Sequence, residues 1–245
     1  MSATIPPVNT YAPLANVSLF AELLERVTSR HRDLPGFGVF YGWAGLGKTK
    51  SATRAAHIHR AYYVEVGESW TKAKFCKALL AELGLPVKGT VADMVDAIII
   101  ALMDTARPLI IDEFDHIANR GYVETIREIH DKSGAPIVLI GEELLPHKLQ
   151  QWERFHSRIL DWVSAQPCDT HDVRQLSPIY APGVELADDM VALILAKSKG
   201  VTRYVAVNLA KVAETAALEG WTEVTAAAWG NRALHSGEPP HRRIR

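Results

Sequence analysis

The chain has 245 residues, of which 48% are hydrophobic and 22% are charged, and this composition suits a globular α/β domain with a small appendage. A net charge of -1 excludes a global positive field that draws the chain to nucleic acid, so any DNA affinity has to come from a local patch. The longest apolar run, at residues 97–103, is too short to span a bilayer, so we expect no membrane association. The two cysteines, Cys76 and Cys168, lie far apart and are expected to be reduced thiols of a cytoplasmic protein.

In chain order, residues 1–15 carry three prolines and are expected to be extended, and Asn16 is expected to cap the first helix. Apolar, β-branched runs predict strands at residues 37–42, 61–66, 108–113, 135–141 and 158–165. Helical patterns lie between and after them, at residues 17–30, 49–60, 69–83, 94–106, 122–133, 187–200, 201–220 and, more weakly, 222–234. Thr90 and Asp93 resemble a capping box before the fourth helix.

The regular alternation of strands and helices predicts an α/β fold with a central parallel sheet and helices on both faces. We expect the strands to cease after Pro167 and a small helical subdomain to follow. The predicted organisation is an extended segment and helix at 1–34, an α/β core at 35–166, a helical subdomain at 167–232 and a basic flexible tail at 233–245.

The segment GWAGLGKT at residues 42–49 matches the phosphate-loop pattern G-x-x-x-x-G-K-[ST]. It follows a predicted strand and opens a predicted helix, which is the context in which backbone N–H groups and the helix N-terminus bind phosphate oxygens. Lys48 is expected to reach the β- and γ-phosphates of ATP, and the Thr49 hydroxyl is expected to bind Mg²⁺. The predicted nucleotide-binding residues of the loop are Gly42, Gly45, Leu46, Gly47, Lys48, Thr49 and Lys50.

The segment LIIDEFD supplies an acidic pair at the end of a buried strand. Asp112 ends this strand, where a parallel sheet exposes its ligand crevice, and it is expected to hold Mg²⁺ through water. Glu113 follows it and is expected to orient and polarise the attacking water, so the pattern favours hydrolysis of ATP over binding alone. Asp115 is expected to be a surface or capping residue.

With these motifs, the strand PIVLIG, the arginine-rich ERFHSRI and the helix opening GVTR, the chain resembles an AAA+ ATPase with a P-loop core and a small C-terminal helical lid. The segment YVEVGESWTKAKFCKALLAELGL after the second strand is similar to the target-selecting ATPases of transposons, the branch that includes transposition protein B of phage Mu. The resemblance extends over roughly residues 10–232. It implies a bacterial or phage-infected host cytoplasm.

The resemblance also implies roles for residues outside the two motifs. Arg154 and Arg158 match the region of the arginine finger that reaches the γ-phosphate of a neighbouring subunit, and Arg158 is favoured because it lies just before the fifth strand. Arg203 matches the sensor-2 arginine of the lid. Glu142 occupies the sensor-1 position, where the superfamily usually has a neutral polar residue, and this departure puts a standard hydrolysis rate in doubt.

The candidate DNA contacts are Lys72, Lys74, Lys77 and Arg120, although three lysines on an amphipathic helix are as easily a solvated face. The resulting hypothesis is a ring or helical filament that grips duplex DNA without sequence preference, delivers it to a transposase and activates that transposase. Three alternatives stay open: a helicase loader of the same superfamily, a nucleotide-gated adaptor with little hydrolysis, and a P-loop kinase.

Overall fold

The computed structural model describes residues 12–118 and 120–238 of the chain. These residues form two compact units. The first, called here the sheet unit, holds residues 16–44 and 48–165, and the second, the helical unit, holds residues 12–15, 45–47 and 166–238. The expectations for residues 1–11 and for the basic end at 241–245 fall outside the described residues.

The sheet unit contains a five-stranded parallel sheet in the order β2-β3-β4-β1-β5, which confirms the predicted fold class. Its strands are β1 (Phe37–Tyr41), β2 (Tyr62–Glu65), β3 (Leu109–Asp112), β4 (Ile137–Gly141) and β5 (Ile159–Ser164). The helices that precede, connect and flank them are α1 (Ala15–Thr28), α2 (Lys48–His59), α3 (Lys72–Glu82), α4 (Val91–Thr105), α5 (Asp115–Ala118), α6 (Tyr122–Ser133), α7 (Leu145–Gln150) and α8 (Glu153–His156).

Strand β1, which lies between β4 and β5, is buried on both faces, as its uninterrupted apolar sequence requires. On one face Phe37 contacts the rings of His130 and Phe155, with centroids 4.6 and 4.4 Å apart. On the other face Phe40 contacts Phe20 of α1 edge-to-face at 5.3 Å. A Cβ at Gly38 would lie 2.8 Å from Val27 Cγ2, so this glycine lets α1 approach the strand closely.

Several local predictions are confirmed in detail. Helix α6 covers the predicted residues 122–133. Thr90 and Asp93 form a complete capping box at the start of α4, in which each side chain accepts a backbone N–H of the other residue. In both cases a polar residue or a glycine lies at the helix boundary, directly beside a strongly periodic apolar segment. The local sequence and the tertiary packing therefore favour the same helix boundaries.

The predicted cap at Asn16 is wrong. Helix α1 begins at Ala15, and Asn16 lies inside its first turn with 4% of its surface exposed. The N–H of Ala15 donates instead to Asp172 Oδ1 at 3.0 Å, so a carboxylate distant in sequence takes the place of the local cap.

The helical unit comprises α9 (Thr170–Tyr180), β6 (Glu185–Leu186), α10 (Asp188–Ser198), α11 (Thr202–Glu219), β7 (Glu223–Val224) and α12 (Ala226–Trp229). The prediction that strands cease after Pro167 is wrong, because β6 and β7 form a short parallel pair whose Leu186 and Val224 are buried. Two residues are too few to show an alternating pattern. The helix predicted at residues 222–234 is reduced to the short α12, because β7 takes up Glu223–Val224. Helix α9, with Pro178 inside it, is not among the predicted helices.

Residues 233–238, predicted as the start of a flexible tail, are held against α11. Asn208 is fully buried and pairs with the backbone of His235: Nδ2 donates to the carbonyl at 2.9 Å and Oδ1 accepts the N–H at 2.6 Å. Lys211 Nζ donates to the carbonyl of Ala233 at 2.6 Å. We call this arrangement the Asn208 clamp.

Both cysteines are free and buried, and burial raises the pKa of each thiol.

Among the described residues, none of the helices combines the length and the apolar character that a membrane crossing requires.

His130 is a buried histidine on α6 of the sheet unit. Its side chain lies against Phe37, and its Nδ1 is 2.8 Å from the carbonyl oxygen of Ala135, so Nδ1 carries the proton. Burial is the main cause that lowers the pKa of His130 below its ordinary value, and the charges of Arg30 and Arg158 act in the same direction. The folded protein therefore keeps this imidazole neutral.

We predict that the protein loses stability as the pH falls below the ordinary histidine value of about 6.5, because the unfolded chain then binds a proton that the folded chain excludes. Urea unfolding at pH 7.5 and pH 5.5 measures the difference. His130→Gln keeps an N–H donor for Ala135 and should shrink the difference, whereas His147→Gln, at an exposed side chain, should not. An unchanged difference in His130→Gln would show that other groups cause the acid loss.

Candidate functional site

The loop between β1 and α2 has the backbone shape of a phosphate cradle. Gly42, Gly45 and Gly47 have φ angles of 152°, 85° and 85°, which residues with a Cβ atom rarely adopt. These conformations let successive N–H groups curl towards one point. Thr49 and Lys50 follow in the first turn of α2 and are exposed, whereas Leu46 is buried.

The Lys48 amine lies at the base of this loop. It donates to the carbonyl oxygens of Gly42 at 2.6 Å and of Trp43 at 2.9 Å, and it lies 3.9 Å from Glu142 Oε1. Only 10% of the side chain is exposed. A nearly buried cation with neutral and acidic oxygens as neighbours is a strong site for a further anion, because a phosphate oxygen replaces weaker carbonyl partners.

Asp112 ends β3 and is almost fully buried, with 1% of its surface exposed. Its Oδ1 accepts the N–H of Glu113 at 2.8 Å, and its Oδ2 accepts the hydroxyl of Tyr63 at 2.8 Å. Because β1, β3 and β4 are parallel, the carboxyl ends of the strands bring the loop, Asp112 and Glu142 to one edge of the sheet.

Glu113 has a left-handed backbone with φ of 55°, uncommon for a residue with a side chain. Burial raises the pKa of its carboxyl, and the charges of Asp112 and Glu142 raise it further. His116, whose Nε2 lies 4.0 Å from Glu113 Oε2, and Lys48 act in the opposite direction. A partly exposed carboxylate with a raised pKa is a stronger base than an ordinary glutamate, which suits the removal of a proton from water.

Asp115 was expected to be a surface or capping residue, and this is wrong. Its side chain is 8% exposed, and it accepts the N–H of Glu142 at 2.6 Å and the Lys148 amine at 2.7 Å. A Cβ at Gly141 would lie 2.2 Å from Asp115 Oδ2, so a glycine is required before Glu142. Asp115 therefore ties the segment after β3 to the end of β4 and fixes the backbone of Glu142.

The two candidate finger arginines have different surroundings. Arg158 is paired within the chain: its Nε lies 3.3 Å from Asp131 Oδ1, and its Nη1 donates to Ser157 Oγ at 2.9 Å. Arg154 on α8 is exposed, and its guanidinium contacts no acidic or acceptor group within the described part of the chain. Arg203 lies in the first turn of α11, where its N–H donates to the carbonyl of Gly45 at 3.0 Å.

Three of the four candidate DNA-binding residues surround Trp70, which is half-buried in the loop after β2. Lys74 Nζ lies 5.4 Å from the Trp70 ring centroid, and Arg120 Nη1 donates to the carbonyl of Trp70 at 3.3 Å. Lys72 Nζ lies 5.8 Å from the ring of Tyr122, whose hydroxyl donates to the same carbonyl at 3.5 Å. We call Trp70, Lys72, Lys74, Arg120 and Tyr122 the Trp70 cluster. The fourth candidate, Lys77, is exposed one turn further along α3.

Sequence reasoning missed Tyr63, Asp115 and Lys148. The strand pattern predicts β2 but not which strand pairs with it, so the contact of Tyr63 with Asp112 could not be anticipated. Lys148 lies 33 residues from Asp115, and only the folded chain brings the two together.

The residues present fit a magnesium–nucleotide complex. Thr49 and Asp112 offer a hydroxyl and a carboxylate, the oxygen ligands that Mg²⁺ prefers. Among the described residues, no group of three or more His, Cys, Asp or Glu side chains could hold a metal ion by itself. A site with few protein ligands is typical of Mg²⁺, which keeps several waters and binds the phosphates of its nucleotide.

Comparison with known proteins gives one family match and several similar solved structures. Residues 31–149 match the family model described as an AAA domain. No curated protein matches the sequence. The matched region contains the loop, the acidic pair and Glu142, and it ends before Arg154.

Two solved structures with the same fold are the Orc1 protein of Aeropyrum pernix, solved in complex with DNA, and Cdc6p from Pyrobaculum aerophilum. The first is 19% identical with a TM-score of 0.59, covering 87% of this chain and 62% of that one. The second is 15% identical with a TM-score of 0.63, covering 91% of this chain and 66% of that one. The chain thus spans slightly less than two thirds of the length of either structure. At these identities the likeness shows the fold alone, a five-stranded parallel sheet flanked by helices.

Proposed function

We propose that this chain is an ATPase that binds ATP with Mg²⁺ and that its ATP-bound form assembles on duplex DNA. The observation that carries the proposal is the position of three groups at the carboxyl edge of one parallel sheet. These are the buried amine of Lys48, the oriented carboxylate of Asp112 and the partly buried carboxylate of Glu113. This set of a cation, a metal-holding carboxylate and a base is what phosphoryl transfer to water requires.

The chain's own residues suggest how the site works. Magnesium-bound ATP, when present, would supply a γ-phosphate to which water adds while the bond from this phosphate to ADP breaks, so that ADP leaves and inorganic phosphate forms. Lys48 would exchange its bonds to the loop carbonyls for bonds to phosphate oxygens, and Thr49 and Asp112 would hold the metal. Glu113 accepts the proton of the attacking water, which its raised pKa favours. From the AAA+ resemblance, Arg203 would contact the same γ-phosphate.

We predict that Lys48→Ala weakens ATP binding by roughly 10- to 100-fold, because a charge-assisted hydrogen bond contributes about 1.5–3 kcal/mol. ATP-dependent DNA binding should be lost with it. Glu113→Gln should keep ATP binding, lower phosphate release by about 100-fold or more and prolong the DNA-bound state. A fluorescent ATP analogue and a labelled duplex measure these changes, with the exposed Lys88→Ala as control. Faster release of DNA by Glu113→Gln than by wild type would contradict the timing role of hydrolysis.

The Trp70 cluster is the proposed DNA surface. It places one ammonium group over each of the rings of Tyr122 and Trp70, and a guanidinium at the backbone carbonyl of Trp70. Cations held in this way can contact successive phosphates without reading bases, which agrees with the absence of a global positive charge. Each contact is weak, so firm binding requires several copies of the chain on one duplex.

We predict that combining Lys72→Ala, Lys74→Ala and Arg120→Ala weakens DNA binding and lowers the slope of log affinity against log salt by up to about three, one for each lost phosphate contact. ATP binding should not change, because none of the three side chains approaches the phosphate loop in the described contacts. The control replaces the exposed Lys88, Lys132 and Lys197 with alanine. An unchanged salt slope in the cluster variant would place the DNA surface elsewhere.

Assembly requires a cation that reaches a neighbouring subunit, and the geometry favours Arg154 over Arg158 for this role. Arg158 already has a partner in Asp131, whereas the Arg154 guanidinium is exposed without one among the described residues. Using Arg158 would first require breaking a pair within the chain. This reverses the preference that the sequence alone suggested.

We predict that Arg154→Ala lowers DNA-stimulated hydrolysis by roughly 1000-fold, as expected for a finger supplied in trans. Arg158→Ala should change it little and cost about 0–1 kcal/mol of stability. Mixing Arg154→Ala with Lys48→Ala subunits should restore part of the activity, because some interfaces then combine an intact Lys48 with an intact Arg154. If only Arg158→Ala abolishes hydrolysis and complements Lys48→Ala, the assignment is reversed.

The finer proposal, that the DNA-bound assembly delivers target DNA to a transposase and activates it, rests on the resemblance of residues 63–85 to the transposon ATPases. A helicase loader would bind ATP and DNA in the same way. Affinity purification of the Glu113→Gln protein with ATP and DNA tests the choice. If a helicase is recovered and a transposase is not, the proposed partner of the assembly becomes a helicase.

A nucleotide-gated adaptor with little hydrolysis is the second candidate, and one observation favours it. Glu142 Oε1 lies 3.9 Å from Lys48 Nζ, where its charge competes with a phosphate for the amine and opposes the γ-phosphate. Phosphate release measured with and without DNA separates the two candidates. ATP-dependent DNA binding without stimulated release would favour the adaptor, and faster release in Glu142→Asn would identify this carboxylate as the cause.

A further inference from the structure

The carboxylate of Asp112 is fixed by two donors, one on each oxygen. The N–H of Glu113 binds Oδ1 at 2.8 Å, and the hydroxyl of Tyr63 binds Oδ2 at 2.8 Å. The first donor belongs to the next residue and comes with the local backbone. The second comes from another strand, 49 residues earlier in the sequence.

The strand register explains why Tyr63 can reach this oxygen. Tyr63 of β2 pairs with Ile110 of β3, and Asp112 lies two residues further along β3. Residues two apart on a strand share a face, so Tyr63 and Asp112 are diagonal neighbours, at a separation that a tyrosine can bridge. The main chain of Tyr63 is also held, because its N–H donates to Glu82 Oε1 on α3 at 3.1 Å.

We infer that Tyr63 is a positioning residue for the metal at this site: its hydroxyl sets the orientation in which Asp112 faces Mg²⁺. The inference rests on the proposed binding of magnesium and ATP. With one lone pair of each oxygen already used, the carboxylate cannot rotate, and its remaining lone pairs point in fixed directions. Donors that orient a metal-binding carboxylate affect metal affinity without touching the metal.

The hydroxyl of Tyr63 has no other acceptor among the described contacts, and Asp112 is nearly closed to solvent. Removing the hydroxyl therefore leaves Oδ2 without a donor, and water has little access to replace it. The carboxylate can then turn towards other partners. The effect should fall on Mg²⁺ and not on the nucleotide itself, because Tyr63 contacts no residue of the phosphate loop in the described structure.

The test is Tyr63→Phe, which keeps the ring and deletes only the hydroxyl. A fluorescent ATP analogue is titrated with Mg²⁺, and the Mg²⁺ concentration at half-maximal binding is measured. We expect it to rise by roughly 10- to 100-fold. Analogue binding in EDTA should stay at the wild-type level. The matched control is Tyr62→Phe, which deletes a hydroxyl from the opposite face of the same strand and should leave the Mg²⁺ midpoint unchanged.

Two further measurements decide between positioning and a general structural effect. In an Asp112→Asn background, Tyr63→Phe should shift the Mg²⁺ dependence no further, since both changes act on the same group. Equal shifts in both backgrounds would overturn the inference. Loss of fold in Tyr63→Phe without nucleotide, judged by circular dichroism, would also overturn it, because a positioning hydroxyl is not required for folding.

Asp112→Asn alone separates this inference from the proposed function. If Asp112→Asn changes the Mg²⁺ dependence and Tyr63→Phe does not, the role of Tyr63 is wrong and the metal site stands. If neither variant changes it, the assignment of the metal to Asp112 fails, and with it that part of the proposed function.

Discussion

The parallel pairing of β1 with β4, and of β4 with β3, is the constraint on which the candidate site depends. Phe37 pairs with Ile137, and Ile137 pairs with Leu109, so the three strands start level and end at one edge. The phosphate loop, the acidic pair and Glu142 each follow directly from one of these strands. Their proximity therefore depends on the backbone hydrogen bonds between the strands. A shift in strand register would separate these residues even if every side chain stayed the same.

Four carboxylates lie near this edge, and the partners of each set a different behaviour. Asp112 is buried, with one hydrogen-bond donor on each oxygen, and is suited to hold a metal. The carboxylate of Glu113 accepts no such bond within the part of the chain that the structure describes, and burial raises its pKa. Asp115 is used structurally, between the N–H of Glu142 and the amine of Lys148. Glu142 lies nearest to Lys48 and opposes an incoming phosphate. The same chemical group therefore has four different surroundings at this edge, and these contacts are the basis of the different roles proposed for the four residues.

Features that depend on a few consecutive residues could be predicted from the sequence. The phosphate loop, the acidic pair and the capping box at Thr90 are local patterns, and the alternation of strands and helices gives the fold class. Contacts between distant segments could not be read in this way. The bond from Tyr63 to Asp112 depends on strand order, and the difference between Arg154 and Arg158 depends on where Asp131 of α6 lies.

The Asn208 clamp affects where the helical unit ends as a folding unit. The apolar pattern fades at the end of α12, which suggests a boundary just after residue 232. The buried amide of Asn208, however, is satisfied by the backbone of His235. A fragment cut at that boundary would leave a donor and an acceptor unpaired in the interior, at a cost of about 1–3 kcal/mol each. Isolated fragments of this unit should therefore extend at least through His235 to retain the packing of α11.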